Sequence, residues 1–344
     1  MSASISREEL IDVLCCPVCR GALCVLSERK WECKRCKNTF PLLEGVPSFL
    51  LADALGSRLE EINYDEVHSI DARVISSIGT SWHNLICGLG KIGENAVEIG
   101  AGTGALTLGL LEHRTFRVIV ATDISLKFLQ YLRRQGVHYQ ELAVIACDAN
   151  NLNFCDGAFG VVLGRSILHH LVDYRATLES AFRILRPGGA AIFYEPLLQG
   201  KIFIALFAKL LLEAEQKQGG KVFDKLERNK IAALVRHITK VKWYPQNRES
   251  LLKIEDKYIF DLDELSALAR AIGFSEVVFD NGTEAIDVSY WNYFVRHLGV
   301  LGIKPDKVAS FRWIGDSFAE TYGLLFGDRM VAPMGFFIFK KRSH

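Results

Sequence analysis

The stretch that most constrains this chain is Val97-Glu98-Ile99-Gly100-Ala101-Gly102-Thr103-Gly104, which reads Glu-x-Gly-x-Gly-x-Gly. It is entered from an apolar run and left through Ala105-Leu106-Thr107-Leu108, the pattern of a strand that breaks into glycines and opens a helix. Without Cβ atoms the backbone can bend sharply and a ligand can approach it closely, so the stretch reads as a nucleotide-binding turn. The glycines alone do not say which nucleotide. Gly100-x-Gly102-x-x-Ala105 also fits the dinucleotide pattern.

The downstream residues carry the reading further. Arg117 to Thr122 is an apolar, β-branched run and predicts a second buried strand. It ends at Asp123, about twenty residues past the glycines, where an acid grips ribose hydroxyls. Leu142 to Cys147 predicts a third strand, ending at Asp148-Ala149. Phe159 to Leu163 predicts a fourth, running into Arg165-Ser166-Ile167-Leu168-His169-His170-Leu171. A helix with Leu178, Ala181, Phe182 and Leu185 on one face follows, closed by Arg186-Pro187-Gly188-Gly189, and Ala190 to Pro196 is a fifth strand.

This succession resembles the class I S-adenosylmethionine-dependent methyltransferases, nearest the subfamily of the ubiquinone and menaquinone C-methyltransferases. The resemblance is strong over residues 95–197. It is carried by Glu98-x-Gly100-x-Gly102-x-Gly104, Asp123, Asp148, Leu168-His169-His170-Leu171 and Leu185-Arg186-Pro187-Gly188-Gly189. It resumes at Phe260-Asp261-Leu262-Asp263-Glu264-Leu265 through Gly273-Phe274, and at Phe336-Phe337-Ile338-Phe339-Lys340. The resemblance implies an α/β fold: a Rossmann-like, seven-stranded sheet with helices on both faces and its last strand antiparallel. It also implies a donor site of Glu98, Gly100, Gly102, Gly104, Asp123, Ile124, Asp148, Ala149 and Arg165. In that site Asp123 takes the ribose hydroxyls, Asp148 faces the adenine amino group, and the N–H groups opening the helix face the methionyl carboxylate. The plainer alternatives are a helix-capping role for Asp123, because Ser125 follows it, and a turn-forming role for Asp148.

The second feature lies near the beginning of the chain. Cys16-Pro17-Val18-Cys19 is followed after thirteen residues by Cys33-Lys34-Arg35-Cys36. Two CxxC pairs at this separation read as a four-thiolate zinc site, with Cys15 and Cys24 as spare thiols. Four protein ligands leave no open position, so the expected role is structural. A lobe of this size cannot bury enough surface by itself and needs such a staple. The residues from Leu14 to Gly21 and from Phe40 to Pro47 resemble the small zinc-ribbon activator subunit of tRNA and protein methyltransferases. The rival reading is a disulfide framework. The first nine residues are polar and lack an apolar secretory run, and the cysteine count, nine, is odd, so a cytoplasmic protein with zinc is the expectation.

These readings divide the chain into a zinc ribbon, 1–55, and a methyltransferase domain, 56–344, with residues 56–94 as helices near the donor. Inserts at 197–257 and 281–333 are expected to cover the mouth at the strand C-termini, where ligands bind. Residues 201–213 keep Lys201, Lys209 and Glu213 on one stripe and leave a broad apolar face. Val222, Phe223, Leu226, Ile231, Leu234, Val235 and Ile238 continue at helical spacing, and residues 221–253 hold nine Lys/Arg against three Asp/Glu. A packed helical lid with a solvated basic face is the plain reading. An apolar or anionic acceptor, a homodimer or protein partner, and contact with a membrane surface are the sharper ones. The most apolar run, 202–212, is too short to span a bilayer.

Methyl transfer from a sulfonium needs alignment above all, and a base where the acceptor is a hydroxyl or an acidic carbon. His169, His170 and Glu195, at the ends of the fourth and fifth strands, are the candidates; adjacent histidines point in different directions, so one at most faces the acceptor. His170 is the residue expected to lose rate without losing donor affinity when replaced. A net charge of +1, two inserts and an apolar insert helix favour a small-molecule acceptor methylated on oxygen. The alternatives are an RNA methyltransferase, whose basic insert tracks phosphates, and a non-catalytic module that only holds the donor.

Overall fold

A computed structural model describes residues 7–51, 71–243, 247–252, 255–281, 290–326 and 332–343. The chain opens with the short helix α1 (Arg7–Val13) and a four-stranded antiparallel meander. Its strands are β1 (Leu23–Ser27), β2 (Lys30–Cys33), β3 (Thr39–Leu43) and β4 (Val46–Pro47), in the order β1-β2-β3-β4. Its small core is aromatic. Trp31 meets Phe49 edge-on at 5.7 Å and Phe40 lies 5.2 Å from the same ring.

Seven strands form the main sheet: β5 (Asn95–Ile99), β6 (Val118–Asp123), β7 (Leu142–Ala146), β8 (Phe159–Arg165), β9 (Leu185–Pro196), β10 (Glu276–Asp280) and β11 (Met334–Lys340). Their spatial order is β10-β11-β9-β8-β5-β6-β7. β5 to β9 run parallel, and β11 inserts antiparallel between β9 and β10, as the resemblance implied. Strands in a sheet covered on both faces need apolar side chains throughout. β5, β6 and β8 accordingly bury almost every residue. The order reverses between β5 and β8, and that switch point is where an open α/β sheet binds its ligand.

The helices follow the periodicity with adjustments. α2 (Ala72–Gly88), capped by Asp71, brings Trp82 edge-on to Phe336 at 4.9 Å, with the indole fully buried. α3 (Ala105–Glu112) and α4 (Leu126–Gln135) follow β5 and β6. α5 (Tyr174–Ile184) stops one residue earlier than its apolar face suggests. Leu185 is already extended and opens β9, because the Arg186-Pro187-Gly188-Gly189 segment is drawn into the sheet beside β8.

The two inserts fold together. The first contributes α6 (Leu198–Lys217), α7 (Lys225–Trp243) and α8 (Arg248–Leu252). α9 (Leu262–Ile272) then returns the chain to the sheet, and the second insert contributes α10 (Tyr290–Val300) and α11 (Arg312–Phe326). Ile204, Phe207 and Leu211 of α6, Phe223, Ile231 of α7, and Phe294 and Leu298 of α10 share one core. Glu215 is buried among them and accepts from Arg228 at 2.7 Å, which ties α6 to α7. Leu226, which the helical spacing turned inward, is exposed because α7 begins only at Lys225. Ile202, Leu206 and Leu210 line the open side of α6. Among the described residues, no helix is long and apolar enough to cross a membrane.

Candidate active site and thiolate cluster

The glycine turn sits at the end of β5, on the switch point. Gly100, Gly102 and Gly104 have φ of +68°, +54° and +95°, conformations that side chains resist. At Gly102 a Cβ would meet open space, so no side chain of the protein fills the place beside this backbone. Gly104 caps α3 with no side-chain hydrogen bond, leaving the N–H groups of the first turn available to an anion. Asp123 ends β6 and braces the turn, accepting from the N–H of Gly102 at 2.8 Å and from that of Ser125 at 2.8 Å. The carboxylate thus ties the glycine turn to the chain leaving β6. Ile124 beside it is half-buried. Ser125, not Asp123, supplies the side-chain cap of α4.

Glu98 is buried beneath the turn and takes the Thr107 hydroxyl. Burial pushes its carboxyl up to about 8, against the pull of that hydroxyl and of the Arg165 charge. Asp148 accepts from the N–H of Asn150 at 2.9 Å and opens a 3₁₀ turn, Ala149–Asn151, at the end of β7. Arg165 closes β8, and the next residue, Ser166, holds φ +54°, a costly backbone for a residue with a side chain.

That turn delivers the histidines. Glu195, at the end of β9, is fully buried and accepts from the N–H groups of Ile167 at 2.9 Å and Leu168 at 2.7 Å. Its other oxygen lies 2.5 Å from His169 Nδ1. A carboxylate at Nδ1 fixes the tautomer and leaves Nε2 as the working nitrogen. His169 Nε2 faces the first insert, where Asp256 Oδ1 stands 3.6 Å away. Burial alone would pull the His169 ring down. The Glu195 charge and hydrogen bond, with Asp256 behind them, outweigh it and hold the ring above its ordinary value. His170 turns away: its Nδ1 faces the Glu255 carbonyl at 3.2 Å, and burial with the His169 charge holds it low. The pair is thus divided: His169 joins Glu195, while His170, the residue expected to matter more, faces the Glu255 carbonyl, and Asp256 stands 3.6 and 3.5 Å from the two rings. Sequence spacing missed Asp256, because nothing local marks a residue in the middle of an insert.

The four thiols of the CxxC pairs converge. All four Sγ atoms lie within 4.8 Å of one another, with Cys16 to Cys36 at 3.6 Å and Cys19 to Cys33 at 3.5 Å. Sulfurs at about 2.3 Å from a tetrahedral zinc stand about 3.8 Å apart, so the set fits that ion. All nine cysteines are free, and the disulfide framework is absent. The two knuckles match in detail. The N–H of Arg20 bonds the Cys16 carbonyl at 2.9 Å and that of Lys37 bonds the Cys33 carbonyl at 3.0 Å, with φ of +59° and +62°. The N–H groups of Val18 and Cys36 point at the sulfurs of Cys16 and Cys33. Burial pushes the Cys16 thiol up to about 12, while the N–H of Asn38 pulls Cys36 down to about 6. A cation at the centre would resolve that conflict by holding every sulfur as thiolate.

Residues 97–193 match the methyltransferase domain family. Over that stretch the chain is similar to a methyltransferase domain. A demethylmenaquinone methyltransferase of Corynebacterium urealyticum is 34% identical over 125 residues, covering 36% of this chain and 50% of that protein. The ubiquinone/menaquinone biosynthesis C-methyltransferase UbiE of Desulfotalea psychrophila is 25% identical over 168 residues, covering 46% of this chain and 61% of that protein. Among solved structures, the CurJ carbon methyltransferase is 16% identical with a TM-score of 0.41, covering 73% of this chain and 49% of that one. The chain thus spans about half the length of these relatives.

Proposed function

We propose that the chain is an S-adenosylmethionine-dependent methyltransferase acting on a small molecule, with His169 as the base that takes the acceptor's proton. The observation that carries this is the His169–Glu195 pair, buried at the ends of β8 and β9, one and two strands from the glycine turn. Glu98, Gly100, Gly102, Gly104, Asp123, Ile124, Asp148, Ala149 and Arg165 are assigned to the donor. Asp123 grips the ribose, Asp148 meets the adenine amino group, and the bare N-terminus of α3 faces the methionyl carboxylate. The donor brings an activated methyl; the protein aligns it with the acceptor and excludes water through the lid. His169 Nε2 accepts the proton as the new bond forms, and Glu195 holds the resulting imidazolium. Cys16, Cys19, Cys33 and Cys36 hold structural zinc, which supplies a cross-link rather than chemistry.

Oxygen is the acceptor atom expected from the sequence. A carbon acid is the second reading, favoured by the relative from Desulfotalea psychrophila, a C-methyltransferase. The same base serves an enolisable carbon. RNA is less favoured, because two of the insert's cations, Arg228 and Lys230, are held inside the helical core, and one of its acids, Glu227, is spent on Lys307. Arg228 is held by Glu215, and Lys230 bonds the Leu301 carbonyl at 2.6 Å.

Methyl-labelled donor incubated with the protein and a cell extract tests the substrate class. Label is expected in extractable small molecules; nuclease-sensitive label would overturn the reading in favour of RNA. The base predicts a pH profile. His169 works neutral and its value is raised, so kcat should climb with pH through a midpoint above the ordinary 6.5. Glu195→Gln removes the charge that raises it, and the midpoint should fall below 6.5 along with the rate. By the same sign, the pair's stabilisation is full below pH 6.5 and fades as pH rises through the folded value. A profile that Glu195→Gln leaves unmoved would assign the limb to another group.

A further inference from the structure

The ribbon does more than occupy one end of the chain: its first thiol knuckle is bonded to the segment that carries Asp148. The segment Val13–Cys15 pairs antiparallel with residues 153–155, the N–H of Cys15 donating to the Asn153 carbonyl and that of Cys155 to the Val13 carbonyl, both at 2.8 Å. Arg20 reaches across. Its Nη1 donates to the Leu152 carbonyl at 2.7 Å and its Nη2 to Asn151 Oδ1 at 3.0 Å, while Asn151 Nδ2 donates to the Pro17 carbonyl at 3.0 Å. Asn151 ends the 3₁₀ turn that Asp148 opens.

The other side of this segment is held by α5. Arg183 donates to the carbonyls of Leu152 and Phe154 at 2.7 and 2.6 Å, and the Thr177 hydroxyl donates to Asn150 Oδ1 at 2.9 Å. Below it, the N–H of Phe49 joins the Ala146 carbonyl at the end of β7 at 2.8 Å. The segment 146–155 is therefore suspended between the core helix and the ribbon.

Arg20 occupies a position that favours glycine, with φ +59°. Its counterpart in the second knuckle, Lys37, has the same backbone but spends its ammonium inside the ribbon, on Glu32 at 3.2 Å. Only the first knuckle puts a long cation against the core. From this geometry we infer that Arg20 is a positioning residue of the donor site: through Asn151 and Leu152 it sets the turn that presents Asp148 and Ala149, so the ribbon is a working part of donor binding. This rests on the assignment of Asp148 to the donor.

The test is calorimetry of S-adenosylhomocysteine with the full chain. Arg20→Gly relaxes the left-handed backbone and removes the brace, so metal content and melting temperature should hold while the dissociation constant rises. If the turn is then competent about a tenth of the time, the rise is about tenfold. Asn151→Ala, which cuts the same contacts from the core side without touching the ribbon, should give a similar rise, and the double variant should add little. The KM for the donor should rise with kcat nearly unchanged. Wild-type affinity in both single variants would overturn the inference. Asp148→Ala is the control for the assignment itself: if it too leaves affinity unchanged, that assignment fails and this inference with it.

Discussion

Replacing His169 by Ala should lower kcat by about 10²- to 10⁴-fold, the usual contribution of a positioned general base. Affinity for the donor should stay within about twofold, because His169 bonds Glu195 and faces the first insert rather than the glycine turn. His170→Ala should cost much less, since its ring is engaged with the Glu255 carbonyl; this reverses the order expected from the sequence alone. Glu195→Ala is a different experiment. It strips the partner from the N–H groups of Ile167 and Leu168 as well as from His169, and of these Leu168 and His169 are buried. Each unsatisfied donor costs about 1–3 kcal/mol, so stability and rate should fall together. Single-turnover rates beside calorimetry of donor binding separate the cases. A His169→Ala variant at full rate would leave the pair a scaffold only.

The second large effect concerns the thiolate cluster. Stripping metal with a strong chelator, or replacing Cys16 by Ser, should unfold the ribbon, since structural zinc contributes an apparent 10–16 kcal/mol or so in comparable peptides. Trp31 reports this directly. It is buried against Phe49 and should brighten or shift to the red on exposure. Elemental analysis should find one zinc per chain in wild type and none in Cys16→Ser. Leu14, Phe40 and Phe49 belong to the same core as Phe154 and Ile145, so loss of the ribbon should also lower the melting temperature of the methyltransferase domain. An unchanged tryptophan spectrum after complete chelation would show that packing alone holds the lobe.

What could be read from the chain beforehand follows the range of the forces involved. The glycine turn, Asp123, the parallel strands and the two CxxC pairs are local patterns. Positive φ demands glycine, a doubly covered strand demands an apolar run, and a knuckle demands its two-residue gap. The lid was legible as amphipathic helices, though the start of α7 was misplaced because Val222 and Phe223 pack as a loop against Glu215 rather than as helix. The segments 52–70, 244–246, 253–254, 282–289 and 327–331, parts of the expected linker and lid, lie outside the described residues.

The sequence by itself determined the sheet, the turn at its centre and the convergence of four thiols, because each is specified by neighbours within a few residues or by one repeated spacing. Tertiary structure alone decided which histidine meets Glu195, that Asp256 comes over from the first insert, and that Arg20 bonds a loop 131 positions away in the chain. Those contacts depend on how separate elements pack, and packing free energy is shared among many side chains rather than written in any one of them.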